Sequence, residues 1–255
     1  MQGPPAYMSS AGPPPFHSRR SRCTFPTLPP HILLQVVYST FPQTDLRDEG
    51  RVERQRKTLY WLSISLRLVN HALYIACMHV LRSTYLPAYD ALVRPPYSSD
   101  PFPLQAPSED MTQISRAPTL QRETATLDLF IALKVREDVW ADDSELHLER
   151  DESFKDLFDL TQPKSRLEDL VRVYGLREGV FGPLHSATNS TTNIDITPVS
   201  FAHISVTFSP RKVGLALSTV GKRTIAETPR NREERLESAA KRLVKELRVW
   251  LEENS

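Results

Sequence analysis

Cysteine, glycine and long uninterrupted apolar runs are all scarce in this chain, and each scarcity excludes a class of protein. The two cysteines among 255 residues, Cys23 and Cys77, are too few for the disulfide framework of a secreted scaffold. The most apolar stretch, residues 59–81, is interrupted by Arg67 and Asn70, so we expect soluble helices and no membrane span. With only 8 glycines against 21 prolines, the composition favours helices joined by proline-marked connections.

An excess of charge of one sign is lacking as well, because 32 lysines and arginines balance 31 aspartates and glutamates. The formal charge of +1 provides no bulk attraction to nucleic acids or to membrane surfaces. The sequence contains no nucleophile elbow, no zinc-protease motif, no Cys-x-x-Cys pair and no glycine-rich dinucleotide loop. We therefore predict a non-enzymatic protein of the cytoplasm or nucleus, without catalytic residues, cofactors or a bound metal.

The first signal that is present is a helix that is apolar on nearly all sides. Leu28-Pro29-Pro30 leads into residues 32–38, of which six of seven are apolar. A helix that packs on a single core needs an apolar stripe only about 100° wide. This helix therefore needs cover on two sides, and the second cover comes either from the rest of the chain or from another protein.

The second signal is the apolar run at residues 59–81, and together the two runs resemble the F-box. The F-box is the short helical module that docks substrate receptors onto the adaptor of SCF-type ubiquitin ligases. The matching positions are Leu28-Pro29 at the start, residues 32–34 and 36–37 in the first helix, and Leu66, Val69 and Leu73 in the later helices. The resemblance covers residues 25–86, and the remainder looks like F-box-like proteins of fungi. The chain departs from the family at His31, where an acidic residue is usual, and this gives up a favourable charge at the helix N-terminus.

The resemblance implies that the chain binds the adaptor subunit of the Skp family and holds a target protein that the sequence does not identify. The implied adaptor-binding residues are Leu28, Pro29, Ile32, Leu33, Val36, Leu66, Val69 and Leu73. Two alternatives stay open at this point. The chain could be a scaffold in which helices at 120–174 and 229–252 bury the free face of the module, or a phosphate- or nucleic-acid-binding protein that uses a basic C-terminal helix.

The remaining patterns predict an α+β fold that is mainly α-helical. We expect a disordered Pro-rich tail over 1–24, the F-box-like module over 25–94, a Pro-rich linker over 95–118 and a helical α+β region over 119–255. Within the last region, the patterns predict helices at about 120–140, at 145–160 and from Pro163 to Gly175. A surface loop at 183–200 and a β-hairpin at about 202–218 are expected to follow. The last predicted element is a long helix at about 229–252, with Thr228 as its N-cap.

Two short motifs point to partners or regulation. Pro4-Pro5-Ala6-Tyr7 matches the Pro-Pro-x-Tyr ligand of WW domains, which bind a preformed polyproline II segment, so Pro4, Pro5 and Tyr7 predict a WW-domain partner. Ser209 precedes Pro210-Arg211-Lys212 and matches a proline-directed phosphorylation site. The alternative reading of the same residues is a hairpin turn in which the proline fixes the backbone.

Local charge predicts how the C-terminal helix is used. Residues 121–170 carry 14 acidic against 7 basic side chains, and residues 211–248 carry 11 basic against 5 acidic ones. This complementarity favours docking of the terminal helix on the helices at 120–174. The basic residues of that helix are interrupted by glutamates and lack interleaved aromatics, so we expect a solvated face and no nucleic-acid site; they are Arg230, Arg232, Arg235, Lys241, Arg242, Lys245 and Arg248.

Overall fold

The computed structural model describes residues 28–45, 49–102, 121–140, 154–182, 199–217 and 223–254. The predicted tail with Pro4, Pro5 and Tyr7, most of the linker at 95–118 and nearly all of the loop at 183–200 lie outside the described residues. The predictions made for them therefore stay predictions. The described part is mainly helical and carries a small antiparallel sheet, which confirms the predicted α+β class.

The described part of the chain contains six longer helices and three strands. In chain order they are α1 (Pro30–Ser39), α2 (Arg51–Ile64), α3 (His71–Leu92), α4 (Arg122–Trp140), α5 (Gln162–Arg177), β1 (Ile204–Phe208), β2 (Lys212–Leu217), β3 (Arg223–Pro229) and α6 (Leu236–Asn254). A 3-10 turn at Leu66–Leu68 connects α2 to α3, and a π-helical turn at Leu157–Thr161 runs directly into α5. The helix predicted at 145–160 is described only from Phe154 onward.

The N-terminal core is built by α1 to α4 and the turn that precedes α5. Helix α1 packs on α3, and α2 packs on both α3 and α4. The ring centroid of Tyr89 lies 5.5 Å from that of Phe130 and 5.2 Å from that of Phe158. The Arg82 guanidinium donates to both carboxylate oxygens of Asp128 at 2.7 Å and joins α3 to α4. The first core therefore extends beyond the predicted module boundary at residue 94, because α4 buries its apolar face against the module.

The C-terminal core lies between the sheet and the helices α5 and α6. The sheet has the strand order β1-β2-β3, and its central row pairs Val206 with Leu215 and Leu215 with Ala226. The sequence pattern predicts one apolar stripe on the terminal helix, formed by Leu236, Ala240, Leu243, Leu247 and Trp250; the first four are buried, and Trp250 is half-buried. The strands β1 and β2 confirm the predicted hairpin, and α6 docks on α5 and the sheet.

The beginning of the terminal helix was predicted wrongly. Thr228 and Pro229 end strand β3, and the helix begins at Leu236. Thr228 pairs with Val213 of β2 and is 7% exposed, so its side chain faces the core and does not cap a helix. Arg230 follows the strand, with its guanidinium carbon 5.0 Å from the Tyr97 ring centroid. Pairing with β2 outweighed the local preference for a helix start.

The predicted helix stop at Gly175 is also wrong, because α5 continues to Arg177. A Cβ atom at Gly175 would collide with the ring of Phe181, so glycine is required there for close packing. Phe181 is 4% exposed and its ring lies 5.2 Å from that of Phe201. The chain turns at Gly179, whose φ of 70° is a conformation that glycine adopts without steric cost.

A polar cluster, which we call the polar junction, connects the two cores and consists of the buried residues Glu123, Gln162 and Asp169 and the half-buried residues Asp100 and Arg166. Glu123 is 0% exposed and accepts hydrogen bonds from the Gln162 amide at 3.0 Å and the Asp100 backbone N–H at 3.1 Å. Asp169 of α5 accepts the backbone N–H groups of residues 122 and 123 at 3.0 and 2.9 Å, and so caps α4. Burial raises the pKa of Glu123 and that of Asp169, although these hydrogen bonds favour the ionised forms.

Candidate functional site

The prolines fix the start of α1, and part of the surface of this helix stays accessible to solvent. The Pro29 carbonyl accepts the backbone N–H groups of Ile32 and Leu33 at 3.0 and 3.2 Å. The first turn has no acidic residue and no side-chain cap. Leu33 and Val37 are buried, whereas Ile32 and Val36 are only half-buried. Helix α1 therefore packs on one side, toward α3, and keeps apolar side chains accessible on another.

The connection between α2 and α3 forms the most exposed apolar feature of the module. After Ile64 the chain breaks its helix, makes a short 3-10 turn and restarts at Asn70, whose side chain accepts the Leu73 backbone N–H at 2.8 Å. This sharp reversal leaves Leu68 72% exposed and Val69 67% exposed. Among the large apolar side chains of the described residues, only Trp140 is more exposed, at 75%.

The flanking helices add to this exposed surface. Ile64 at the end of α2 is 41% exposed, and Ile75 in the first turns of α3 is 52% exposed. We call Ile64, Leu68, Val69 and Ile75 the apolar corner. Single exposed apolar side chains are normal on soluble proteins, whereas large contiguous apolar patches mark sites of protein or membrane interaction. No helix in the described ranges has the length and apolarity that a bilayer crossing requires.

The structure divides the sequence-predicted adaptor-binding residues into three groups. Pro29 and Val69 are exposed, and Leu28, Ile32, Val36 and Leu66 are half-buried. Leu33 and Leu73 are 2% and 3% exposed and belong to the N-terminal core. These two side chains support the module from inside and are not accessible to a partner in this conformation. The core that buries them contains no residue of the sheet or of α6.

The resemblance assigned Leu66, Val69 and Leu73 to the later helices and did not include Ile64, Leu68 and Ile75, whose side chains are exposed. The break between Ser65 and Asn70 changes the phase, so that the residues before and after it face in different directions. A signal for the break was present. Asparagine is a preferred N-cap residue, and Asn70 directly follows the apolar pair that becomes exposed.

The remaining candidate positions have ordinary structural environments. The Ser209 hydroxyl donates to the Lys212 carbonyl at 3.0 Å and accepts its N–H at 3.1 Å, so it closes the β1–β2 turn. Cys77 is 0% exposed, and burial raises the pKa of its thiol to about 11, which leaves it protonated and unreactive. Within the described part of the chain, no group of three or more His, Cys, Asp or Glu side chains is arranged to hold a metal ion.

No protein-family model, curated protein or solved structure matches this chain. The F-box resemblance of residues 25–86 therefore stays a prediction that depends on the residues themselves. What the geometry adds to it is the apolar corner and the open side of α1 on a three-helix module. Both features are apolar surfaces that are accessible to solvent.

Proposed function

We propose that the chain binds a Skp-family adaptor and acts as a substrate receptor of an SCF-type ubiquitin ligase. The single observation that carries this proposal is the exposure of Leu68 and Val69 at 72% and 67%, on the module that resembles the F-box. The apolar corner and the open side of α1, with Pro29, Ile32 and Val36, form the proposed docking surface. Recognition there depends on the shape of apolar helix faces and needs no charge pair.

The size of the expected effect follows from the apolar surface. Full burial of a leucine or valine side chain is worth about 1.5–3 kcal/mol. Because Leu68 and Val69 still expose 72% and 67% of their surface, the adaptor would gain from each of them. The pair is expected to contribute roughly 2–4 kcal/mol, which corresponds to an affinity change of about 30- to 1,000-fold. Glutamates at both positions would remove this gain and add a desolvation cost.

Co-purification of the full chain with a purified Skp-family adaptor tests the proposal. We expect the wild-type chain to form a complex with the adaptor during gel filtration, and the double variant Leu68→Glu plus Val69→Glu to elute separately. Both side chains are already solvated in the free protein, so this variant should fold normally, which circular dichroism will check. Substitution of Leu33 is unsuitable for this purpose, because Leu33 is 2% exposed and its loss would damage the core.

The matched control is Leu160→Glu plus Leu176→Glu, which changes two exposed leucines outside the module by the same charge. This control should bind the adaptor as the wild type does. The proposal fails if the wild type forms no complex with the adaptor. It also fails if both double variants weaken binding equally, because the contact would then not involve the apolar corner.

A structural scaffold is the second candidate, and one observation favours it. Helix α4 covers α2 and α3, and it places Phe130 beside Tyr89, so much of the module is already buried within this chain. In a scaffold, the apolar corner would have no partner, and its substitution would change only solubility. A wild-type chain that stays monomeric and binds no adaptor, while Leu68→Glu plus Val69→Glu retains all other properties, would support this candidate.

A further inference from the structure

An open groove with strongly basic walls lies between the C-terminal end of α5 and the outer face of α6. Its volume is about 910 Å³. Five cationic side chains line it, against two glutamates: Arg177, Lys241, Arg242, Lys245 and Arg248. We call this feature the basic groove. Its positive charge is local, since the chain as a whole carries only +1.

The cations of the basic groove differ in how far they are neutralised. Arg242 lies 2.8 Å from a Glu234 carboxylate oxygen, and Arg248 lies 3.0 Å from one of Glu252. Within the part of the chain that the structure describes, no ion pair joins Arg177, Lys241 or Lys245 to a carboxylate. These three cations are therefore the ones whose charge is available to a ligand.

An aromatic ring positions two of the available cations. The Lys241 ammonium lies 5.3 Å from the centroid of the Tyr174 ring, and the Arg177 guanidinium carbon lies 6.0 Å from it. Both distances fall within the range of a cation–π contact. The ring therefore holds cations from two different helices beside one groove, and this reduces the ordering cost of binding an anion there.

The same arrangement argues against nucleic acid as the ligand. Single strands bind through aromatic rings on which bases stack, and the cations lie over the ring of Tyr174. Glu178 and Glu252 also line the groove and interrupt its cations, so the groove lacks the continuous basic track that a long phosphate backbone follows. A ligand with a few negative charges at defined positions fits better than a continuous polyanion.

The spacing of the available lysines suggests which ligand this is. Lys241 and Lys245 are four residues apart on α6, which corresponds to a rise of about 6 Å along the helix. Side chains on one face of an extended peptide recur every two residues, or about 6.6–7 Å. Carboxylates at alternate positions of an extended peptide therefore match the two lysines, and Tyr174 and Val249 add apolar surface to the lining of the groove.

We propose that the basic groove binds an extended acidic peptide segment of a partner protein, with carboxylate groups on alternate residues. This proposal goes beyond adaptor binding, since the basic groove lies on α5 and α6 and shares no residue with the apolar corner. The two proposals can therefore fail separately. If both hold, the module binds the adaptor while the basic groove holds a target.

Fluorescence anisotropy of the full chain tests this proposal. The probe is a fluorescein-labelled peptide in which glutamate alternates with serine, and the reference peptide has glutamine in place of glutamate. We expect binding of the glutamate peptide only, with an affinity that falls as the salt concentration rises. Lys241→Glu plus Lys245→Glu is expected to weaken binding by about tenfold or more, because two attractive contacts become repulsive.

The matched control is Lys155→Glu plus Lys164→Glu, which changes the net charge equally at two exposed lysines outside the basic groove. It should bind the peptide within about twofold of the wild type. The milder variant Lys241→Gln should show an intermediate loss and guards against misfolding of the double variant. Failure of the wild type to bind, equal losses in both double variants, or equally tight binding of labelled oligothymidine would each overturn the proposal.

Discussion

Asp169→Ala is expected to weaken the connection between the two cores. The Asp169 carboxylate on α5 accepts the backbone N–H groups of residues 122 and 123 at the start of α4, at 3.0 and 2.9 Å. Helix α4 belongs to the N-terminal core, and α5 contributes to the C-terminal one. Alanine removes the acceptor for both N–H groups, so the variant tests whether this single side chain stabilises the polar junction.

The magnitude follows from burial. Asp169 is 3% exposed, so little water can replace its oxygens. A buried donor without a partner costs about 1–3 kcal/mol, and loss of an N-terminal cap typically costs about 0.5–2 kcal/mol. Part of the loss is offset, because burial disfavours the charged carboxylate and raises its pKa. We expect the free energy of unfolding to fall by about 2–4 kcal/mol in Asp169→Ala, and by roughly half as much in Asp169→Asn, whose amide oxygen retains one acceptor.

Urea denaturation followed by far-ultraviolet circular dichroism measures this loss, provided that the slope of the transition stays unchanged. The control is Asp156→Ala, at an exposed aspartate that caps no helix with its side chain, and its effect should stay within about 0.5 kcal/mol. A loss below about 1 kcal/mol in Asp169→Ala would refute the reasoning, since the buried N–H of Glu123 and the part-buried N–H of Arg122 would then have found other partners.

Two further predictions concern the packing around Gly175 and the titration of Glu123. Gly175→Ala forces its Cβ against the Phe181 ring and should destabilise the protein by about 1–2 kcal/mol in thermal unfolding. Gly50→Ala has open space around its Cβ but replaces the N-cap residue of α2, so its cost should stay below about 1 kcal/mol. Burial raises the pKa of Glu123 in the folded protein, so ionisation of this carboxyl costs stability. The free energy of unfolding therefore falls as the pH rises from the pKa of the unfolded chain, about 4.3, through the higher pKa of the folded protein. Glu123→Gln removes this titration, and its urea midpoint should therefore fall less between about pH 4 and pH 7 than that of the wild type. Parallel pH profiles for the two proteins would contradict this prediction.

Local patterns predicted those parts of the fold that local interactions determine. The apolar repeat from Leu236 to Leu247 predicted a helix that docks by one face, and alternation around Val206 and Leu215 predicted the hairpin. The third strand escaped prediction because Thr228-Pro229 has the local form of a helix start. Its pairing with β2 is a contact between distant residues, which no property of the short segment reveals.

The sequence predicted which part of the chain carries the candidate site, but not which side chains form it. The resemblance predicted a helical module, and the apolar runs predicted that its first helix needs a second cover, from the rest of the chain or from another protein. Which side chains form that face depends on the helix break between Ser65 and Asn70, which turns Leu68 and Val69 toward solvent and Leu73 into the core. The polar junction was not predicted at all, because Glu123 and Asp169 look like ordinary surface acids in an acidic segment and become buried only when α4 meets α5.

The other helices of the chain cover only part of the module, and this favours a partner protein for the face that stays exposed. Helix α1 was expected to need cover on two sides, and α3 supplies one of them by burying Leu33 and Val37. Helix α4 covers α2 and α3 instead of α1, and it places Phe130 against Tyr89. Helix α3 packs on α1, α2 and α4, and the apolar corner lies where this helix begins. An apolar surface on elements that are already folded before binding needs little further ordering, so more of the free energy from its burial is available to stabilise a complex.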